Sequence, residues 1–367
     1  MSEHRHHQDF ADLAAEWDDL VDRCSAATPF QCHAWLDSWW RSYGRPGRLR
    51  LVLVRRQGKL VAAAPLMLRL FPLPRLVPIG AGLSDFGDVL LDDSHAAEAA
   101  AVLARVLPLN RPWSLLDLRE VRPTAAAHRL LPQWHGASRR LPDSLCQSLP
   151  GVPVEELLAR LPAHSAKRSR AKLRRLAAVG VTARQTPPDE VPAAVADLLR
   201  LHELQWRGRG VTPEHLRERF AAHLTRAITA MAAADRAALH RYWLDGELIA
   251  CHLTVLGPDF TGLYLYGVHP KVRDRLDISG MLLSGCLSYA VRTDRSEVNL
   301  LRGTEAYKQR WRPEQAQNER LFIGGRLAVA VYGSAVHLRG AAVRHARARL
   351  PWLAEVRNRV RALRTPR

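Results

Sequence analysis

The sequence predicts an α/β (α+β) chain of two tandem units, each a mixed sheet flanked by helices. Three observations predict it. The 367 residues suffice for two ordinary domains, each with its own buried core. Two hairpins of similar pattern stand far apart: LRLVLVRRQGKLVAAAPLML turns at Gln57-Gly58, and ALHRYWLDGELIACHLTVL turns at Asp245-Gly246. Aligning the two glycines sets Leu60-Val61-Ala62-Ala63 against Leu248-Ile249-Ala250-Cys251, a sign of a duplicated unit. In the second half, helices are followed by three antiparallel strands, a helix and one more strand.

The elements follow in order. Residues 1–9, with His4, His6 and His7, read as a flexible, solvated tail. Phe10, Leu13, Trp17, Leu20 and Val21 recur at helical spacing, so a helix is expected over 10–24. Thr28-Pro29-Phe30 interrupts it before an aromatic helix around Trp35, Trp39 and Trp40 that Gly44 ends. After the first hairpin, LSDFGDVLLD reads as a loop entering a strand, Ala96 to Leu107 as a helix and Trp113 to Leu118 as a strand. Pro142 to Pro153 is dense in Pro and Ser and is the expected boundary. The expected units are therefore residues 10–150 and 151–332, with a basic helical tail over 333–367.

The second unit opens on a helix crowded with Lys167, Arg168, Arg170, Lys172, Arg174 and Arg175. It is either a solvated face or a phosphate and polyanion contact. A helix from Ala193 to Gln205 and another from Pro213 to Ala233 lead to strands at Ala238 to Leu244, Glu247 to Leu256 and Phe260 to Val268. A helix over Ile278 to Arg292 and a strand over Glu297 to Leu301 complete the unit. In the tail, Leu353, Val356, Val360 and Leu363 form an apolar stripe that Pro351 starts, flanked by arginines. It fits docking on the second unit or peripheral attachment to an anionic membrane.

The formal charge of +18 comes almost wholly from arginine, because lysine occurs only at Lys59, Lys167, Lys172, Lys271 and Lys308. Such a balance favours anionic partners or reflects a chain rich in Ala, Arg, Leu and Pro throughout. Cys24, Cys32, Cys146, Cys251 and Cys286 are odd in number and widely spaced, so neither a disulfide framework nor a zinc site is expected. The opening MSEHRHHQDF lacks the apolar core of a signal peptide, and no stretch has the roughly 18 apolar residues of a span. A cytoplasmic protein without metal is expected.

The order of strands and helices resembles the core of the GNAT acyltransferases. More specifically, TPFQCHAWLDSWW, LSDFGDVLL, RSRAKLRRLAAVG, LHELQWRGRG and LLRGTEAYKQRW resemble two-domain GNAT proteins of bacterial cellulose and exopolysaccharide biosynthesis, relatives of the Fem peptidoglycan aminoacyltransferases. These motifs run from Thr28 to Trp311. The resemblance implies tandem GNAT-like acyl-CoA N-acyltransferase units and acyl-CoA, such as acetyl-CoA, as donor. It also implies an amine acceptor, such as an amino sugar or polysaccharide precursor. The family's pyrophosphate turn, [QR]-x-x-G-x-[GA], falls on Arg275 to Gly280, with Ile278 in place of the first glycine. Val268, Arg273, Arg275, Ser279 and Gly280 are the implied cofactor contacts. The Fem relatives imply an alternative donor, aminoacyl-tRNA, which the basic helix would suit. A third reading is a non-catalytic partner protein in polysaccharide biosynthesis.

Acyl transfer from a thioester to an amine needs a base for the amine, a donor for the oxyanion and an acid for the departing thiolate. In the fold that the resemblance implies, the residues after Leu301 lie where the thioester sulfur would sit. Tyr307 is thus the candidate acid and Glu305 the candidate base, with His252 as a second base. Arg302, Lys308 and Arg310 are candidates for anionic ligands, Arg207 and Arg209 are candidate ligand contacts, and Trp206 is a candidate substrate contact or a packing residue. Asp85 and Asp88 are candidate acceptor contacts, or turn formers.

Overall fold

The computed structural model describes residues 2–109, 111–207 and 212–349. Two compact units result: Met1–Ser144 with Gln317–Arg367, and Leu145–Ala316. In chain order the first stretch contains β1 (Ser2–His4), α1 (His7–Ala11), α2 (Ala14–Asp22), α3 (His33–Tyr43), β2 (Leu49–Arg56) and β3 (Lys59–Arg69). It continues with β4 (Arg75–Pro78), β5 (Leu90–Leu91), α4 (Ala96–Val106), β6 (Leu115–Val121) and β7 (Ala137–Pro150). The second stretch holds α5 (Val154–Ala159), α6 (Ala163–Ala178), β8 (Thr182–Gln185), α7 (Val191–Trp206), α8 (Glu218–Ala233) and β9 (Ala237–Leu244). Then come β10 (Glu247–Leu256), β11 (Phe260–Val268), α9 (Ile278–Arg292), β12 (Glu297–Arg302) and α10 (Ala306–Gln309). The last elements are β13 (Glu314–Gly324) and α11 (Arg326–Arg349).

The first unit orders its strands β1-β2-β3-β4-β6-β13-β7, with β5 beside β3. The second runs from the last residues of β7 through β12-β11-β10-β9-β8. One topology occurs twice. In the first unit β2, β3 and β4 pair antiparallel and β6 lies parallel to β4; in the second, β9, β10 and β11 pair antiparallel and β12 lies parallel to β11. A crossover of this kind needs a helix to bring the chain back to the sheet, supplied by α4 and α9. Both hairpin turns hold positive φ at their two central residues, Gln57 and Gly58, Asp245 and Gly246. That conformation matches the twist of the flanking strands and explains the Gln-Gly and Asp-Gly pairs.

Five expectations are corrected. The N-terminal residues are not a free tail: Ser2 to His4 pair with Leu51 to Leu53, and His7 meets Asp37 at 2.7 Å. The helix expected over 10–24 is two helices with a break at Asp12-Leu13, and Pro213–Leu216 forms a separate 3-10 turn before α8. The Pro- and Ser-rich stretch from Pro142 is mostly strand, because β7 continues to Pro150. Residues 317–324 pack with the first unit, where Glu319 to Gly324 pair with Leu115 to Val121. Local composition cannot reveal that return, since the pairing partners stand about 200 positions apart in the sequence. The apolar stripe from Leu353 lies outside the described residues, as does Arg209. No described helix is long and apolar enough to cross a membrane, no described group of side chains could hold a metal ion, and the five cysteines are buried and form no disulfide.

The core of the second unit places the site. Leu283, Cys286 and Leu287 of α9 pack with Leu157 and Leu158 of α5, Val298 and Leu300 of β12, and Trp311. Full burial of each such leucine is worth roughly 1.5–3 kcal/mol, enough to fix α9 against the sheet. From the other face α7 comes so close to β11 that a Cβ at Gly267 would overlap the backbone of His202 and Leu198. Only glycine allows that approach, which carries the end of α7 to the end of β11.

Candidate active site

β11 and β12 pair only from Phe260 to Gly262 against Glu297 to Asn299. Beyond that point no pairing joins them. The divergence has a local cause: Leu301 sits at φ 56°, a costly left-handed conformation for leucine, and the Asn299 carboxamide oxygen accepts its N–H at 2.8 Å. The bend sends residues 303–311 across the open end. A cavity of about 250 Å³ results, lined among others by Leu263, Tyr266, Leu300, Tyr307 and Trp311.

Tyr266 projects from β11 and Tyr307 from α10, and their rings meet edge to face at 6.4 Å. Their hydroxyls hydrogen-bond to each other, and the Gln205 side chain bonds Tyr266 as well. Gln205 is oriented because its Oε1 accepts the Val268 N–H at 3.1 Å, which leaves its amide N–H groups for Tyr266. Both phenols have raised pKa values, chiefly through burial, and the nearby Glu305 charge adds to each. Both are therefore protonated at neutral pH. One hydrogen bond between two hydroxyls uses one of the two phenolic protons. Trp311, 2% exposed, lines the same cavity, and its buried indole Nε1 has no partner among the described residues.

The candidate residues separate into those at the cavity and those elsewhere. Tyr307, Trp206, Val268, Arg273 and Ser279 line it. Arg273 donates to the Gln205 carbonyl at 2.8 Å and fastens the end of α7. Glu305 stands outside the lining with an exposed carboxylate 2.8 Å from Lys308 Nζ. Lys308 is not available to an anionic ligand: it is 3% exposed and donates to the Arg302 carbonyl at 2.9 Å, holding the turn. Arg302 offers that carbonyl and pairs with Cys146 of β7.

His252 is 0% exposed and lies away from this cavity, with Nδ1 3.1 Å from the Tyr242 hydroxyl and Nε2 3.6 Å from Cys286 Sγ. It is a core histidine whose pKa burial holds well below the usual value. Arg275 is exposed, and Arg207 is exposed and bonded to Glu203 at 3.3 Å. Asp85 and Asp88 are buried within the first unit. Asp88 accepts the N–H groups of Ala126 and Ala127 at 2.8 Å, capping the 3-10 turn that starts there. Its role is structural, as in the turn-forming alternative. Sequence reasoning missed Tyr266 and Gln205. The signal for Tyr266 was a tyrosine in the last turn of the meander strand; nothing in the sequence marks Gln205.

At the first turn of α9, Gly280 is buried against Asp277, whose carboxylate is held by Arg310 at 2.8 Å; Arg310 also bonds Ser169 of α6 at 3.1 Å. The helix N-terminus that would cradle a phosphate is thus faced by a carboxylate of the chain itself. On α6, Lys167, Arg168, Lys172, Arg174 and Arg175 are exposed, while Leu176 packs inward with α9.

Residues 163–309 match the model of the acetyltransferase (GNAT) domain. Among solved structures, FemX is 12% identical with a TM-score of 0.59, covering 90% of this chain and 99% of its own. L-PGS from Bacillus licheniformis is 12% identical with a TM-score of 0.53, covering 87% and 94%. A conserved protein of unknown function from Bacteroides thetaiotaomicron is 11% identical with a TM-score of 0.56, covering 84% and 97%. No curated protein matches. The cleft between β11 and β12, the crossover helix α9 and the tandem topology are therefore those of a GNAT fold, and the enzyme class that accompanies its acetyltransferase domain is acyltransferase.

Proposed function

We propose that this chain is an N-acyltransferase whose donor lays its acyl group in the cleft between β11 and β12 and passes it to an amine. The observation that carries this reading is the divergence of the two strands over a cavity lined by two protonated phenols, Tyr266 and Tyr307, and by Trp311. Trp311 Nε1 is suited to the carbonyl oxygen as it gains charge. The Tyr266–Tyr307 pair is suited to protonate the leaving group, and Glu305 at the rim to take the amine proton, directly or through water. The domain match favours acyl-CoA as the donor. The acceptor is proposed as the amine of an amino sugar or polysaccharide precursor, on the sequence resemblance alone.

A second reading takes aminoacyl-tRNA as the donor, and a specific observation favours it. Asp277 puts negative charge where a pyrophosphate would lie, whereas five exposed basic side chains on α6 offer a polyanion surface beside it. The likeness to FemX has the same direction but shows the fold alone.

Transfer assays with purified protein decide between them. Labelled acetyl-CoA and longer acyl-CoAs are compared with aminoacyl-tRNA, using glucosamine-type and lysine-type amines as acceptors, alongside thermal shift. A ligand at 100 times its Kd stabilises by about 2.7 kcal/mol, which a melting curve resolves. Stabilisation and turnover by acyl-CoA support the first reading, and by charged tRNA the second. No binding or turnover with either donor would sink both.

A further inference from the structure

The second unit contains another cavity, about 790 Å³, that the acyl-transfer reading does not use. It lies along a different face of α9. Ile278, Ser279, Leu282 and Leu283 look toward the first cavity, whereas Met281, Ser284, Ser288 and Arg292 border the second. Spacing of three to four residues puts those four on one stripe, about 16 Å long at 1.5 Å per residue. The opposite walls come from α6, β8 and β9.

The chemistry of the walls changes along the stripe. At the end near Met281 they are apolar, with Leu173 and Leu176 of α6 and Val181. At the other end stand Arg184 and Gln185 of β8, His240 of β9, Ser288 and Arg292. Gln185 pairs with His240 in the sheet, and Arg292 donates to the Gln185 side chain at 3.1 Å. Among the described residues no aspartate or glutamate lines this cavity, and Arg184 is held by Glu190 outside it.

Two polar atoms are left over. His240 is 6% exposed, and its Nδ1 has no hydrogen-bond partner among the described residues; the Ser284 hydroxyl is likewise buried without one. The His240 ring is fixed by stacking on His252 at 4.9 Å and by the edge of Tyr289 at 5.1 Å, so it cannot turn away to find a partner. An unpaired buried polar group is costly, and a ligand that bonds it recovers that cost.

We infer that this cavity is a second ligand site, built for an anionic amphiphile. Its alkyl body lies on Leu173, Leu176 and Met281, and its carboxylate or phosphate head meets Arg292, His240 and Ser284. The volume falls within the range of cavities that hold small ligands. The charge selects an anion, the apolar end selects a chain, and the stripe on α9 sets the length. The inference does not rest on the acyl-transfer reading.

Calorimetry on the full chain tests it, with dodecanoate and dodecyl phosphate as probes and dodecanol and dodecylamine as controls, each below its micelle concentration. Both anions should bind with one-to-one stoichiometry, at least about tenfold tighter than the alcohol or the amine, since a charge-assisted hydrogen bond is worth that much. Arg292→Gln should bring the anions down to the level of the alcohol, and Ser284→Ala should weaken them by several fold. Ser288→Trp, at an exposed position that tolerates a large side chain, should abolish binding by filling the mouth. Ser279→Trp, in the other cavity, should leave it unchanged. Equal affinity for anion and alcohol, no binding by either anion, or binding that survives Ser288→Trp and disappears in Ser279→Trp would overturn the assignment.

Discussion

Arg310 Nη1 lies 2.8 Å from Asp277 Oδ2 and 2.9 Å from Oδ1, so the carboxylate at the start of α9 already has its counterion within the chain. An incoming pyrophosphate must displace that pair or bind elsewhere. If acyl-CoA is the donor and uses this helix end, Asp277→Asn should tighten its binding by about fivefold, since a charge near a helix terminus is worth up to ~1 kcal/mol. Calorimetry with a non-hydrolysable acyl-CoA checks this. An unchanged Kd would mean that the donor's phosphates do not approach Asp277.

Tyr307→Phe should lower kcat by about 100- to 10,000-fold with donor affinity nearly intact, the range for loss of a general acid. Tyr266→Phe should cost less, because Tyr266 acts through Tyr307, and the double variant should be no slower than Tyr307→Phe alone. Because the Tyr307 pKa is raised above its usual value of 10, no loss of the acid form is expected across the neutral range. A Tyr307→Phe enzyme within twofold of the parent would remove Tyr307 from the mechanism.

Lys308→Met should destabilise the protein by about 3 kcal/mol, because it strips the turn at Arg302 and Gly303 of a buried charged donor. Urea unfolding measures this. Lys308→Arg keeps the charge but not the fit and should fall between the two. A Lys308→Met protein as stable as the parent would show that the ammonium is not what holds the turn.

Acid should unfold the chain early. Burial lowers the pKa of His215 and of His240 to about 4 from 6.5, so the unfolded state binds more protons between these values. Stability from each is fully present above about pH 6.5 and is lost as pH falls toward 4. Asp88 acts in the opposite sense: burial raises its pKa to about 6, so its contribution declines as pH rises from about 4 to 6. Burial shifts His202 and His252 in the same direction as His215 and His240, so against one aspartate the balance is a net loss toward acid. The melting temperature should therefore drop from pH 6.5 to 4.5, and less steeply in a His215→Gln variant. An identical slope in that variant would exclude His215 as a contributor.

Much of the second unit was legible because its signals are local. The strands over 247–256 and 260–268 and the helix over 278–292 are observed over these residues, since period and turn residues act within a few positions. The Asp-Gly turn fixed the hairpin register in the same way. The first unit was less legible where its order depends on distance: Ser2 to His4 have no signal of their own and become a strand only because β2 presents a free edge.

For the site, the sequence by itself determined the set of residue types: a tyrosine, an acid and a tryptophan just past a strand end, and a basic helix. Only the tertiary structure decided their roles. Lys308 and Glu305 look equivalent in the sequence as charged neighbours of Tyr307, yet one is buried under the turn and the other exposed. His252 looked like a base and proved to be core. Tyr266 and Gln205 entered the site because Gly267 lets α7 touch β11, bringing positions 61 residues apart into one hydrogen-bonded network. Residue type fixes what a side chain can donate or accept, whereas burial and partner, which arise only when distant segments pack, fix whether it is free to do so.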